Sequence, residues 1–181
     1  LLALDGLADR FEEINRGAAR AARRAMEACG RPDALLAGSL SHRGPIVAGT
    51  ARPDRLDAAG LRAMEAALKE LARLLAEEGC DVILLEMMYD PERMPLAFAA
   101  AAETGLPVWA GFSARRAPDG RVVGFQPDED VPFEEIVAIL GDFEVAAAGV
   151  MHTRSDVVAD ALALVLGAFD GPLVAYPDSG Y

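Results

Sequence analysis

The stretch that most narrows the choice of fold is "DVILLE", Asp81–Glu86. Its four central residues are apolar with no polar alternate. A strand with one face in water alternates; an unbroken Val-Ile-Leu-Leu run is the pattern of a strand covered on both faces, as in parallel sheets flanked by helices. Helical patterns frame the run. Upstream, Leu61, Met64, Leu68, Leu71 and Leu75 recur at three- and four-residue spacing and predict a helix from Ala58 to Glu78, stopped by Gly79. Downstream, Asp90-Pro91 reads as an N-cap with proline at the first helical position, opening a helix that ends at Gly105.

The same alternation runs along the chain. Phe11, Ile14, Ala18, Ala22, Ala25, Met26 and Cys29 form an apolar stripe over Asp9–Cys29, closed by Gly30 and Pro32. Further helices are predicted from Pro132 to near Gly141 and over Ser155–Ala168. Short apolar runs predict strands at Asp33–Ser39, Leu106–Phe112, Glu144–Val150 and Gly171–Tyr176. Pro118–Gly120 reads as a turn between two short arms of a long loop. Five strands separated by helices mean a parallel α/β protein, as an open doubly wound sheet or as a closed barrel. No internal repeat or linker divides residues 1–181, so one domain is expected. The start at Leu1 and the end at Tyr181 read as cuts in a longer protein.

Bulk properties limit the partners. The net charge of −12, from 29 acidic and 17 basic residues, repels phosphate backbones and argues against nucleic acid. No apolar run reaches the roughly 18 residues of a membrane span. The two cysteines, Cys29 and Cys80, stand in no paired motif, so both are expected in the core and the cytoplasm is the expected compartment.

In parallel α/β folds, sites form beyond the carboxyl ends of the strands. Those ends hold Ser39 to Gly44, Glu86 to Tyr89, Phe112-Ser113, Met151-His152 and Tyr176 to Gly180. Glu86 closes an apolar run, where a charge is costly unless paired or at a rim. It reads as a carboxylate that grips an amine or acts as a base, against the plainer reading of a solvated strand end. Both histidines of the chain, His42 and His152, fall in this set. His152 is a ligand candidate or a loop histidine bonded to backbone, and His42 reads first as part of an ordinary polar loop beside Arg43 and Gly44. "AGFSARR" is no nucleophile elbow, and no Gly-rich phosphate loop, CxxC or HExxH motif occurs. The methionines read as core.

Six stretches, in this order, carry a resemblance: "EEINRGAARAARRA", "LLAGSLSHRG", "GCDVILLEMM", "LPVWAGFS", "VAAAGVMHT" and "LVAYPDSG". Together they resemble the homocysteine S-methyltransferase family, which includes the betaine-dependent enzymes and the homocysteine domain of cobalamin-dependent methionine synthase. The resemblance implies a (β/α)8 TIM barrel, here incomplete, with the third through seventh strands visible. A full barrel takes about 250 residues. It further implies a cytoplasmic enzyme of methionine biosynthesis with a thiol amino acid and a methyl donor as its partners, and a homo-oligomer is an expectation of the same rank. In the family, zinc held by three cysteines binds the homocysteine sulfur as a thiolate. A glutamate after the fourth strand holds the amino group, and Glu86 matches it. Ser39 and Ser113, also at strand ends, complete the expected substrate-binding set.

The chain also departs from the family. "GVMH" stands where the family has Gly-Val-Asn-Cys, so Met151 replaces Asn and His152 replaces a zinc-binding Cys. "SLSHRG" differs from the family's Ser-Ile/Val-Gly-Pro turn, and Asp178 stands where Asn is usual. Three readings follow, in this order: a thiol methyltransferase whose zinc takes His152 as a ligand, chemically allowed because imidazole is a good zinc ligand; a divergent, non-catalytic or amino-acid-binding paralogue that has lost the thiolate site; and a hydrolase or lyase in which His42 and His152, with Glu86 or Asp178, hold another metal.

Overall fold

A computed structural model describes residues 6–42 and 55–178. Its centre is a five-stranded parallel sheet of β1 (Ala37–Ser41), β2 (Val82–Met88), β3 (Val108–Phe112), β6 (Ala147–Arg154) and β7 (Leu173–Asp178), in that spatial order. Between β3 and β6 the chain makes an antiparallel hairpin of β4 (Ala114–Arg116) and β5 (Val122–Gly124), the two arms predicted around Pro118–Gly120. The helices are α1 (Phe11–Ala28), α2 (Ala58–Glu77), α3 (Met94–Ala102), α4 (Phe133–Val137) and α5 (Ser155–Ala168). Short 3-10 turns precede α1 at Ala8–Arg10 and follow α4 at Ala138–Gly141.

Strand order follows chain order without reversal. Right-handed crossovers then put every helix on the same face of the sheet. A doubly wound sheet reverses its order and is covered on both faces; a barrel does not. This decides between the two architectures that the sequence pattern leaves open, in favour of a barrel segment. Residues under the helices are sealed: Leu40, Ile83, Leu85, Ala110, Phe112, Ala148 and Val150 are all inaccessible, packed against Leu68, Ala72, Ala97, Phe98, Ala101, Val157, Ala161 and Val165. Because side chains alternate along a strand, Ser39, Glu86, Gly111, Gly149, Met151 and Tyr176 line the opposite, inner face.

Local signals explain the helix ends. Asp57 Oδ1 accepts from Gly60 N at 2.8 Å and caps α2. Gly30 (φ +68°) and Gly79 (φ +78°) close α1 and α2 in left-handed turns, with Arg31 N donating to Met26 O and Cys80 N to Leu75 O.

Several boundaries differ from the sequence pattern. The first strand starts at Ala37, not Asp33, because residues 33–36 are held in a turn in which Leu36 N donates to the Asp81 carboxylate at 2.7 Å. Asp90 does accept from Glu92 N and Arg93 N, but the turn it caps precedes α3, which begins at Met94. The strands carrying Glu86 and His152 run on to Met88 and Arg154. In α1 only Ala19 is buried. Its contact with α2 is largely ionic: Arg16 pairs with Glu77 and Glu78, and Arg20 with Glu78. Cys29, expected in the core, is exposed past the end of that helix, whereas Cys80 is buried. Among the described residues no helix is long and apolar enough to cross a membrane.

Candidate functional site

The carboxyl ends of β2 and β6 are irregular in the same way. The register slips between Leu85 and Met88 on β2, and between Met151 and Arg154 on β6. Each slip contains a non-glycine residue in left-handed backbone, Met87 (φ +57°) and His152 (φ +42°). Such residues are uncommon and cluster where a bulge re-aims side chains at a site. The two bulges are tied together, since Met87 N donates to Met151 Sδ at 3.0 Å.

Glu86 lies within the first slip, next to Met87, half-buried on the inner face, and accepts a hydrogen bond from Ser39 Oγ across the β1–β2 pair. The structure therefore brings together two members of the expected substrate-binding set. Ser113, the third, is fully buried, and its hydroxyl donates to Met151 O at 3.1 Å. Thr153 Oγ1 donates to the same carbonyl at 2.8 Å and accepts from Ala114 N at 3.0 Å. Ser113 thus fixes the end of β6 and is not presented to the inner face.

His152 is 40% exposed, and its Nδ1 stands 3.7 Å from Asp178 Oδ2 at the end of β7. His42 is elsewhere. It is sealed at 1% exposure, contrary to its reading as a polar-loop residue, and its Nε2 accepts from Tyr89 N at 3.2 Å. Burial pushes its pKa down to about 4, with Arg93 adding to this and Asp90 opposing it. Two rings separate the histidines in a row across the strand ends. Centroid spacings are 4.8 Å from His42 to Tyr89, 5.8 Å from Tyr89 to Phe125 and 5.1 Å from Phe125 to His152. The two histidines therefore share no ligand site, which removes the geometry that the hydrolase reading needs. Beside this row lies a cleft of about 380 Å³ bordered by Tyr89, Asp90, Arg93, Gln126 and Glu129. Arg43, Gly44, Ser179 and Gly180 lie outside the described residues.

A catalytic zinc takes three protein donors and keeps a fourth position for substrate. His152 and Asp178 are two side chains of donor type standing side by side. Cys29 lies past the end of α1, and the buried Cys80 lies against Gly38 near the start of β2, under the helices. Among the described residues no group of three His, Cys, Asp or Glu could hold a metal. The described residues do not by themselves fit a zinc centre.

Sequence reasoning placed Tyr176 at a strand end without giving it a role, and missed Gly111. A Cβ placed on Gly111 would stand 2.8 Å from Tyr176 Oη, 3.1 Å from Leu85 O and 3.2 Å from Met151 Cγ. A glycine inside the apolar strand "VWAGF" was the available signal, because such a glycine marks a close approach.

The profile of the homocysteine S-methyltransferase family matches residues 2–181. Among solved structures, the chain is similar to the metallated form of the homocysteine methyltransferase MmuM from Escherichia coli, with a TM-score of 0.71 and 23% identity. The match covers 93% of this chain and 59% of that one, so the chain spans somewhat over half the length of the structure it resembles. No curated protein matches it.

Proposed function

The chain belongs to the homocysteine S-methyltransferase family, and from that premise we propose that it forms part of an enzyme moving a methyl group to the thiol of homocysteine or a related thiol amino acid. The observation that carries the reading is Glu86. A carboxylate at the inner end of a barrel strand, half-buried and steadied by the Ser39 hydroxyl, is suited to an ammonium group. Partial drying strengthens the charge-assisted bond, and the fixed serine lowers the cost of ordering the acceptor. With the amino group held there, the sulfur attacks the donor's methyl carbon. A carbon–sulfur bond forms, the donor leaves with the pair that bound the methyl, and the thiol proton passes to solvent or to a base.

Zinc is the finer part of this reading. Its support is the relative, described as a metallated homocysteine methyltransferase. The described residues offer His152 and Asp178, one donor short of a catalytic centre, and no step above is routed through a metal. The second reading, an amino-acid-binding barrel without methyl transfer, is favoured by the same shortfall and by Met151-His152 standing where the family has Asn-Cys.

The test is methionine formation from homocysteine with betaine, S-methylmethionine or S-adenosylmethionine as donor, beside calorimetry of homocysteine binding. Turnover with any donor supports the first reading. Binding without turnover supports the second. Absence of both refutes the two together. Metal analysis of the purified protein, with His152→Ala beside wild type, decides the zinc proposal: no bound zinc, or equal zinc in the variant, removes His152 as a ligand.

A further inference from the structure

Tyr176 plays no part in the reading above, yet its side chain reaches two strands across the inner face. It stands on β7, and β6 lies between β7 and β3. Its hydroxyl nevertheless arrives at Gly111 on β3. The register partner of Tyr176 on β6 is Met151, whose Cγ borders the same place on Gly111. The missing Gly111 side chain leaves a shelf bordered by the Leu85 carbonyl, Met151 and the Tyr176 hydroxyl. Leu85 is joined directly to Glu86, so the hydroxyl ends beside the strand segment that carries the carboxylate.

Two further properties define this hydroxyl. It makes no hydrogen bond among the described residues, and the residue is 36% exposed. Burial, with a contribution from the Glu86 charge, pushes its pKa up to about 12. The phenol therefore keeps its proton throughout the neutral range and is an unengaged donor. Glu86 nearby is an acceptor. An α-amino acid presents the complement on a single carbon: a cationic donor and an anionic acceptor.

We propose that the Tyr176 hydroxyl donates to the α-carboxylate of the amino-acid thiol whose ammonium Glu86 holds, with Gly111 kept bare to admit it. This rests on the amino-acid reading of the site and extends it to a second recognition group. The donor also offsets the repulsion between Glu86 and the incoming carboxylate. Selection is then for the whole amino-acid head, not for an amine alone.

The test uses calorimetry with L-homocysteine and with 3-aminopropane-1-thiol, the same molecule without its carboxylate. Wild type binds homocysteine more tightly. Tyr176→Phe weakens homocysteine about tenfold, the loss of one hydrogen bond to a charged group, and leaves the amine unchanged. Gly111→Ala, whose methyl would press on the hydroxyl, gives the same selective loss and serves if the first variant folds poorly. Equal weakening of both ligands, or of neither, overturns the carboxylate role. If wild type binds neither ligand, the amino-acid reading falls, and this inference with it; the wild-type arm separates the two failures.

Discussion

Acidification should expose His42 as a buried neutral imidazole on which stability depends. Its ring is sealed, and Nε2 is an acceptor for the Tyr89 amide, which requires that nitrogen to be unprotonated. Burial is the largest cause of the depressed pKa; Arg93 depresses it further and Asp90 partly restores it. The unfolded chain takes up the proton near 6.5 and the folded chain near 4. The unfolded state therefore binds more protons between these values, and stability falls as the pH is lowered through them. The contribution is fully present above pH 6.5 and is lost by pH 4. At about 1.4 kcal/mol per pH unit, the loss comes to about 3 kcal/mol, a large share of a domain's usual margin. Urea unfolding at intervals from pH 7.5 to 4, for wild type and for His42→Gln, measures it. Glutamine still offers the Tyr89 amide an acceptor but does not titrate. The wild-type curve should fall toward the variant's by about 3 kcal/mol across this window. Glu78 does not confuse the result. Its carboxylate, held by Arg20 and Arg16 down to about 2 from an ordinary 4.5, contributes stability that is lost as the pH falls from 4.5 toward 2, and the variant carries the same group, so this loss cancels in the comparison. Parallel curves between pH 6.5 and 4 would refute the argument for His42.

Four other outcomes are expected. Glu86→Ala should lose homocysteine binding by at least tenfold, because the ammonium loses a charged acceptor, with little change in melting temperature; unchanged affinity in calorimetry would end the amine role. Gly149→Ala should cost more than about 3 kcal/mol in urea unfolding, since the new methyl would overlap the Val174 carbonyl and no side-chain rotation can relieve a backbone clash. Gly167→Ala, on α5 with nothing within 4 Å, should instead stabilise by about 0.5–1 kcal/mol. A thiol reagent should modify the exposed Cys29 at once and Cys80 only on unfolding, burial having raised the Cys80 thiol's pKa.

What the sequence made legible was periodicity and order. The run Val-Ile-Leu-Leu is on a strand with one face sealed under helices, and every helix stripe marked a real helix. The extent of burial was less legible, because it depends on what lies opposite. The α1 stripe has the spacing of a core helix, yet the helix is held to α2 chiefly by Arg16 and Arg20, residues that periodicity assigns to water. His42 misleads in the other direction. Its polar neighbours in sequence predict exposure, but the residues that bury it come from the end of β2 and the turn after it. Glu86 was found because a charge ending an apolar run is anomalous on one strand alone. Tyr176 was placed at a strand end but given no role, since what its hydroxyl reaches is a glycine two strands away.

His152 shows the same limit at the point where the family resemblance is most demanding. In sequence it is a substitution: an imidazole where a thiolate is usual. In the structure it is first a backbone event, a left-handed residue in a register slip that matches the slip at Met87, with Met151 Sδ bridging the two. Left-handed backbone costs a β-carbon residue about 1–2 kcal/mol, and here β2 and β6 both bear it, with β3 between them. The bulges turn the chain so that Met151 reaches inward to Gly111 while His152 turns toward Phe125 and Asp178. This geometry separates two roles that the resemblance alone would merge. The shelf of Glu86, Ser39, Gly111 and Tyr176 needs the bulge but not the imidazole, whereas a metal would need the imidazole and at least one donor more. His152→Ala should therefore leave the affinity for 3-aminopropane-1-thiol and its dependence on Glu86 intact in a metal-free preparation. If that variant loses amine binding as Glu86→Ala does, the two roles are one, and the separation argued from the bulge geometry is wrong.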